Sequence, residues 1–374
     1  MSRTVVMAAG GTAGHVIPAV AVARELVLGD VDVRPLFVGV KGRLEDRVVP
    51  ASGFPLVHIP AVALSRRPDL SFLRLPFDVR RAIRRSEEVL KEHRAAIVVA
   101  FGGYVSFPVA RASWNLQLPL VVHEQNSVPG ISNRVAGRWA DRIAVSFPGS
   151  VEHFRRPELC VVTGNPIGEH LRTLDRATRR TAALERLELD PARPTVLVFG
   201  GSQGSRTINE AVIASFETWS RLGVQLLHVT GRQGFEPALE AWQRAGRAAP
   251  HGSVVEYLDD MSDAYAAADL VVCRAGATSI AELTTIGLPA ILVPYPYAAG
   301  DHQMLNARAL EAIGAAVIVR DTDLVKGRLA EVAASLLADP DRRRRMSEAA
   351  LSWGRPDAAR AVARVVLDQL GTTA

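Results

Sequence analysis

The chain has little cysteine, no long apolar run and no leader-like N-terminus, and each absence argues against one kind of protein. Its only two cysteines, Cys160 and Cys273, both lie in apolar, strand-like runs. We therefore expect buried, reduced thiols and no cysteine-bound metal. No stretch reaches the ~18 uninterrupted apolar residues of a membrane-spanning helix. The first residues do not follow the pattern of a signal peptide, so we expect a cytoplasmic protein.

Length and charge indicate two domains and an anionic partner. At 374 residues the chain is too long for one ordinary core. The net charge of +5 favours nucleic acid, phospholipid or a phosphorylated substrate as the partner. The sequence contains no recognised nucleic-acid-binding motif, so nucleic acid is not expected.

A glycine-rich loop near the N-terminus is the first candidate site. Val5–Met7 read as a buried strand, and Gly10, Gly11 and Gly14 allow a tight turn before a helix that Thr12 can cap. Such a loop directs backbone N–H groups and a positive helix end at an anion, usually a phosphate. The alternative is a simple packing turn, because the GxGxxG pattern is absent.

The same plan recurs in residues 195–209, where Gly200 is equivalent to Gly10. Two such loops, each opening half of the chain, predict two similar α/β domains with parallel sheets. Gly164-Asn165-Pro166 marks the predicted hinge, and residues 358–370 predict an amphipathic helix. The other predicted strands are Arg34–Val40, Leu56–Ile59, Ile97–Phe101, Leu120–His123, Ile143–Ser146, Val161–Thr163, Val196–Phe199, Leu226–Val229, Val254–Tyr257, Leu270–Cys273, Ala290–Val293 and Ala316–Val319.

Polar and glycine-rich segments follow several of these strands, where ligands bind in open α/β sheets. In the first half they are Gly102–Tyr104 and His123–Asn126. In the second half, Glu282 could accept hydrogen bonds from a ribose diol, although it also reads as an ordinary helix residue. The polar residues of 301–306 suit sugar hydroxyls. Two DxD triplets, 30–32 and 321–323, are read as turns remote from the glycine loops, so no metal is expected.

Residues 61–94 combine arginines with large apolar side chains. Leu70–Phe77 is rich in leucine and phenylalanine, and many arginines flank it. A solvated helix face is one reading of this pattern, and docking on an anionic bilayer is the other.

Eight segments, in this order, resemble the MurG family of bacterial N-acetylglucosaminyltransferases. They are GGTAGHVIPA, FGGYVSFP, HEQN, TGNP, FGGSQGSRTIN, YLDDM, VVCRAGATSIAEL and DHQMLNA. The resemblance implies the GT-B architecture, in which two Rossmann-like domains face each other across a cleft. By this resemblance, residues 1–163 together with the helix of 354–374 form the domain that faces the acceptor and the membrane. Residues 164–353 form the domain that binds the UDP-sugar. It also implies a peripheral position on the cytoplasmic face of the cell membrane.

The resemblance also implies the site residues and needs no cofactor. The catalytic candidates are His15 and, in reserve, Glu124. Donor-binding residues would be Thr12, Ala13, Gly14, Asn126, Ser202, Leu258, Ala277, Thr278, Ser279, Ile280, Ala281, Glu282 and Gln303. Tyr104 and His123 would face the acceptor.

The implied reaction is inverting transfer of N-acetylglucosamine from UDP to the 4-hydroxyl of lipid-linked muramoyl-pentapeptide. An imidazole, with an unperturbed pKa near ~6.5, suits the base that takes the hydroxyl proton. The chain has Ala13 where the family often has glycine, and Gly168 where the family usually has an arginine that binds the donor. Arg206 is a candidate to supply the charge of that arginine. A related glycosyltransferase with another lipid or natural-product acceptor, and a non-catalytic nucleotide-binding protein, remain alternatives.

Overall fold

The chain forms two compact units, each built on one parallel sheet. A computed structural model describes residues 2–61, 75–201 and 203–372. The first unit comprises residues 1–168 and 356–374, and the second comprises 169–355. The division therefore falls shortly after the Gly164-Asn165-Pro166 turn.

The first unit contains a seven-stranded sheet in the order β3-β2-β1-β4-β5-β6-β7. Its strands are β1 (Arg3–Ala8), β2 (Val33–Gly39), β3 (Leu56–His58), β4 (Ala95–Ala100), β5 (Leu120–Glu124), β6 (Arg142–Val145) and β7 (Cys160–Val162). Its helices are α1 (Ala13–Gly29), α2 (Leu44–Ala51), α3 (Leu75–Glu92), α4 (Gly103–Asn115) and α5 (Ile131–Ala136), with short 3₁₀ segments at Pro148–His153 and Pro157–Leu159.

The second unit contains a six-stranded sheet that follows the same plan, β10-β9-β8-β11-β12-β13. Its strands are β8 (Thr195–Phe199), β9 (Gln225–Val229), β10 (His251–Val255), β11 (Leu270–Cys273), β12 (Ala290–Leu292) and β13 (Ala316–Ile318). Its helices are α6 (Glu169–Arg172), α7 (Arg176–Arg186), α8 (Arg206–Ala214), α9 (Phe216–Arg221), α10 (Arg232–Ala245), α11 (Ser262–Ala267), α12 (Ala277–Ile286), α13 (His302–Ala312), α14 (Arg328–Leu337) and α15 (Pro340–Trp353). Three 3₁₀ segments, Gly246–Ala248, Ala299–Asp301 and Asp321–Lys326, lie between them.

The strands are apolar on both faces because helices cover both sides of each sheet. In β1, Val5 and Met7 pack into one apolar cluster and Val6 and Ala8 into another. The last helix, α16 (Ala358–Thr372), packs on α1 and buries Val362 and Val366 in the first of these clusters. This burial confirms the predicted amphipathic helix.

Every strand predicted from the apolar runs is present, with small shifts at the ends. The largest shift is in β10, which begins at His251 instead of Val254. Its first residues, His251 and Gly252, are exposed, so the apolar pattern could not reveal them. Among the described residues, no helix has the length and apolar content needed to cross a membrane.

Strand order fixes where a ligand can enter each unit. The order reverses between β1 and β4 in the first sheet and between β8 and β11 in the second. In open parallel sheets, ligands bind at the carboxyl ends of the strands beside such a reversal. Both glycine loops and most of the predicted site residues follow these four strands or the adjacent β5.

Candidate active site

His15 lies at the start of α1, held by the loop that precedes it. Its Nδ1 is 3.1 Å from the carbonyl oxygen of Gly10 and 3.1 Å from Oγ1 of Thr12. Because a carbonyl oxygen can only accept, the contact with Gly10 favours the tautomer with a proton on Nδ1. Nε2 is then the basic nitrogen. Thr12 occupies the N-cap position, but its hydroxyl contacts His15 and does not cap the helix as predicted.

The glycines after β4 let the first loop and His15 approach the backbone closely. Gly102 has φ +100°, and a Cβ there would lie 3.0 Å from Nε2 of His15. A Cβ on Gly103 would lie 2.4 Å from the Gly10 carbonyl oxygen. Ser106 ties the two strand ends together by donating to the carbonyl of Ala8, 2.9 Å away. The predicted Gly102–Tyr104 loop thus forms one wall around His15.

Glu45 of α2 is a buried carboxylate beneath the first glycine loop, and no motif in the sequence marks it as a site residue. It is 0% exposed and accepts hydrogen bonds from the backbone N–H groups of Gly11 and Val40, both at 3.1 Å. The Tyr104 hydroxyl donates to the same carboxylate at 3.3 Å. Burial and this carboxylate raise the pKa of Tyr104 to about 12, so the phenol stays protonated.

His123 is completely buried at the end of β5. Its Nε2 faces the carbonyl oxygen of Gly164 at 3.3 Å, and its Nδ1 lies 3.1 Å from the amide nitrogen of Gln125. Burial lowers its pKa to about 4, and the nearby His15 adds to this effect. The ring is therefore neutral at pH 7, and its side chain has no exposed surface in this structure. Its contact with an acceptor stays a prediction.

Glu124, the reserve catalytic candidate, is also buried. It accepts from the backbone N–H groups of Asn126 and Gly130 at 2.9 and 3.2 Å, and from the Asn133 amide at 2.8 Å. Burial raises the pKa of Glu124, while these hydrogen bonds oppose the rise. Both carboxylate oxygens are engaged in shaping the loop that presents Asn126.

The second glycine loop packs against the loop that follows β9. A Cβ on Gly204, where φ is +73°, would lie 2.2 Å from the carbonyl oxygen of Thr230. Asn209 on α8 donates to the same carbonyl at 3.0 Å, which fixes α8 against this loop. Ser205 caps α8 by accepting from the N–H of Ile208 at 3.4 Å. Ser202, the predicted diphosphate contact, lies outside the described residues.

An ion pair fixes the start of α8 against the ends of β11 and β13. Arg274 pairs with Asp321 and donates to the hydroxyl of Thr207 at 2.8 Å. Thr207 in turn donates to Asp321 at 2.8 Å. The expectation that the 321–323 triplet is remote from the glycine loops is therefore wrong, because the fold carries Asp321 to α8. No group of three potential metal-binding side chains occurs within the described ranges.

Glu282 lies on α12, the helix that follows β11, and is half-buried. The fully buried hydroxyl of Tyr265 donates to its Oε2 at 2.6 Å. Burial raises the pKa of Glu282 to about 7, against the opposing effect of this hydrogen bond. The Tyr265 hydroxyl thus orients the carboxylate, whose pKa lies near neutral pH.

The remaining predicted donor residues fall on neighbouring segments of the second unit. Ala277–Ala281 form the first half of α12, and Leu258 is half-buried in the loop after β10. Gln303 lies at the start of α13, where its side-chain oxygen accepts from the N–H of Tyr295 at 2.9 Å. Thr12, Ala13 and Gly14 directly precede His15 in the first unit, and Asn126 follows β5 in the same unit.

Comparison with known proteins agrees with this division. Residues 5–145 match the glycosyltransferase family 28 N-terminal domain, and residues 195–362 match the family's C-terminal domain. A protein from Nocardioides sp. is 43% identical, with 99% of both chains covered, and is named UDP-N-acetylglucosamine–N-acetylmuramyl-(pentapeptide) pyrophosphoryl-undecaprenol N-acetylglucosamine transferase. The chain belongs to the MurG family. A Saccharopolyspora erythraea relative with the same name is 41% identical, covering 98% of this chain and 94% of its own.

Solved structures support the fold. The crystal structure of Acinetobacter baumannii MurG is 27% identical, with a TM-score of 0.74 over 98% of this chain and 99% of its own. A Staphylococcus aureus MnaA–UDP structure at 15% identity shares the fold alone, with a TM-score of 0.69 over 98% of this chain and 95% of its own. These neighbours and the two parallel sheets confirm the predicted GT-B class.

Proposed function

We propose that this chain transfers N-acetylglucosamine from UDP-N-acetylglucosamine to the 4-hydroxyl of lipid-linked N-acetylmuramoyl-pentapeptide, the last cytoplasmic step of peptidoglycan precursor synthesis. The observation that carries the proposal is 43% identity over 99% of the chain to an enzyme named for this transfer. The geometry places an imidazole suited to act as the base in the first unit and an oriented carboxylate in the second.

The donor is assigned to the second unit. Glu282 accepts the ribose hydroxyls, with the Tyr265 hydroxyl holding its carboxylate in place. N–H groups near Gly204 and the start of α8 stabilise the leaving diphosphate electrostatically. Arg206, the first residue of α8, has a side chain that is 86% exposed and supplies positive charge in place of the arginine absent at Gly168.

The chemistry is a direct displacement with inversion. The acceptor oxygen forms a bond to the anomeric carbon while the bond from that carbon to UDP breaks. Nε2 of His15 takes the hydroxyl proton, since Nδ1 is directed at the Gly10 carbonyl. UDP leaves with the bonding electron pair. Glu124 and His123, both buried and hydrogen-bonded, position the Asn126 loop and do not contact the reacting atoms.

Glu45 is a positioning residue in this scheme. Replacement of Glu45 by glutamine keeps an acceptor oxygen but places an N–H₂ group against the N–H of Gly11 or Val40. We expect kcat to fall about tenfold and the acceptor KM to rise, with an unchanged Kd for UDP, since the loss of one such hydrogen bond costs about 1–3 kcal/mol. Asp46→Asn, on the same helix turn, is the matched control. An acceptor KM and kcat equal to those of the wild type would remove Glu45 from this role.

We further propose that the predicted Leu70–Phe77 face docks on anionic membrane, where a lipid-linked acceptor presents its sugar. Residues 62–74 lie outside the described part of the chain. In the described part, Phe77 is 76% exposed at the start of α3. Arg80, Arg81 and Arg84 are exposed on the same helix. Apolar insertion together with basic residues is typical of interfacial helices.

Replacing Phe72, Leu75 and Phe77 by serine should reduce cosedimentation with anionic vesicles while leaving UDP binding unchanged. Each arginine near such a surface contributes about 1 kcal/mol, so high salt should weaken the wild-type association. Val31→Ser removes another apolar side chain, 93% exposed, from the same unit and serves as control. Equal sedimentation of triple variant and wild type would place the membrane face elsewhere.

Donor choice provides the functional test. With the lipid-linked acceptor, we expect kcat/KM for UDP-N-acetylglucosamine to exceed that for UDP-glucose and UDP-N-acetylgalactosamine. Turnover with UDP-glucose alone would show that donor identity differs from that of the named relatives.

A further inference from the structure

A run of four arginines on α15, Arg342–Arg345, divides into two structural roles. Arg343 donates to the last carbonyls of α14, those of Leu336 and Leu337. Arg344 pairs with Asp341 at 3.2 Å and with Glu348 at 3.1 Å. These two side chains are accounted for by local helix packing.

The other two arginines line a groove. In the part of the chain that the structure describes, the guanidinium groups of Arg342 and Arg345 make no hydrogen bond or ion pair. Arg342 is half-buried, and both border a groove of about 470 Å³ between α13, β13 and α15. This volume lies within the range of about 300–1,000 Å³ typical of small-molecule sites.

The rest of the lining is mainly apolar. It includes Ile313, Val317, Met346 and Ala349, with Glu311 as the single acidic side chain. Glu311 accepts from the N–H of Ile318 at 3.2 Å, so its carboxylate covers the free edge of β13. This contact opposes the addition of a peptide strand to the sheet. The groove therefore favours a compact ligand over an extended chain.

We propose that this groove binds a small amphipathic anion, with an acyl or aryl body on the apolar floor and a carboxylate, sulfonate or phosphate held by Arg342 and Arg345. Arg342 and Arg345 carry two positive charges, whereas Glu311, already hydrogen-bonded to Ile318, carries one negative charge. The groove therefore has a net positive charge that favours an anionic head group. A guanidinium group suits such heads because it can donate two parallel hydrogen bonds. The site is separate from the proposed donor residues and does not depend on the proposed function.

The probe is anilinonaphthalenesulfonate, an aromatic body with one sulfonate, titrated by fluorescence against the full chain in saturating UDP. We expect saturable binding to one site, weakened about tenfold by Arg342→Gln and by Arg345→Gln. Arg344→Gln makes the same charge change on the same helix and should leave the affinity unchanged. Ala349→Phe, which fills the groove without changing its charge, should abolish binding, and neutral phenylnaphthylamine should bind more weakly than the sulfonate.

Two results would overturn the proposal. The first is wild-type protein without saturable probe binding. The second is equal affinity for the Arg342→Gln, Arg345→Gln and Arg344→Gln variants, because the sulfonate would then be held elsewhere. Circular dichroism and thermal unfolding identify any variant that has lost its fold. Arg345 lies at an exposed position, so Arg345→Gln still tests the proposal if Arg342→Gln misfolds.

Discussion

His15→Ala should lower kcat by about 10²–10⁴-fold while leaving UDP affinity nearly unchanged, the range expected for loss of a general base. The reason is local geometry, since the contact between Nδ1 and the Gly10 carbonyl at 3.1 Å makes Nε2 the proton acceptor. Steady-state kinetics with the lipid-linked acceptor give kcat, and calorimetry gives the UDP affinity.

His15→Asn is the sharper companion variant. Its amide can still donate to the Gly10 carbonyl but cannot take a proton at neutral pH, so it should be as slow as the alanine variant. If asparagine restores kcat, the residue has a positioning role. If either variant loses only UDP affinity, His15 binds the donor.

Glu282→Ala should weaken UDP binding by roughly 10–100-fold, because a hydrogen bond to a charged group contributes about 1.5–3 kcal/mol. The carboxylate also predicts a pH dependence. Burial raises the pKa of Glu282 to about 7, so the ionised form, which accepts the ribose hydroxyls better, grows as pH rises through 7. Affinity should therefore increase from pH 6 to pH 8 and then level off.

Uridine is the better ligand for this titration, because it has no phosphate that ionises in this range. Glu282→Gln should bind uridine more weakly and without the pH dependence. Tyr265→Phe removes the donor that favours the ionised carboxylate, so the midpoint should move to higher pH. Unchanged uridine affinity in a folded Glu282→Ala protein would exclude this residue from the nucleotide site.

The sheet architecture could be predicted because it depends on local patterns. Short β-branched runs followed by Gly-Gly at Gly10 and Gly200 occur at equivalent places in both halves, and helix-like segments separate most strands. The same pattern marks strand ends, which is why His15 and Glu282 could be named as candidates from the sequence.

The residues that hold the site in place could not be predicted. They are buried polar groups that the fold brings together from segments distant in sequence. Glu45 lies in the first turn of α2 beside Asp46. An acidic residue at this position usually interacts favourably with the positive end of the helix dipole. Only the fold places it under the Gly11 loop, 34 residues away in sequence. Asp321 lies in a DxD triplet that is typical of a turn. Only the fold brings it to Arg274, with which it forms an ion pair.

Assays of the purified chain with UDP-N-acetylglucosamine and a panel of acceptors test the proposed transfer. The panel contains lipid-linked muramoyl-pentapeptide, the same sugar-peptide without lipid, other prenyl-diphosphate sugars and a small aglycone. We predict UDP release with formation of a β-1,4-linked disaccharide on the lipid-linked muramoyl-pentapeptide, and much slower formation of this product with His15→Ala. Faster transfer to another acceptor, or no transfer to any, would contradict the proposed function.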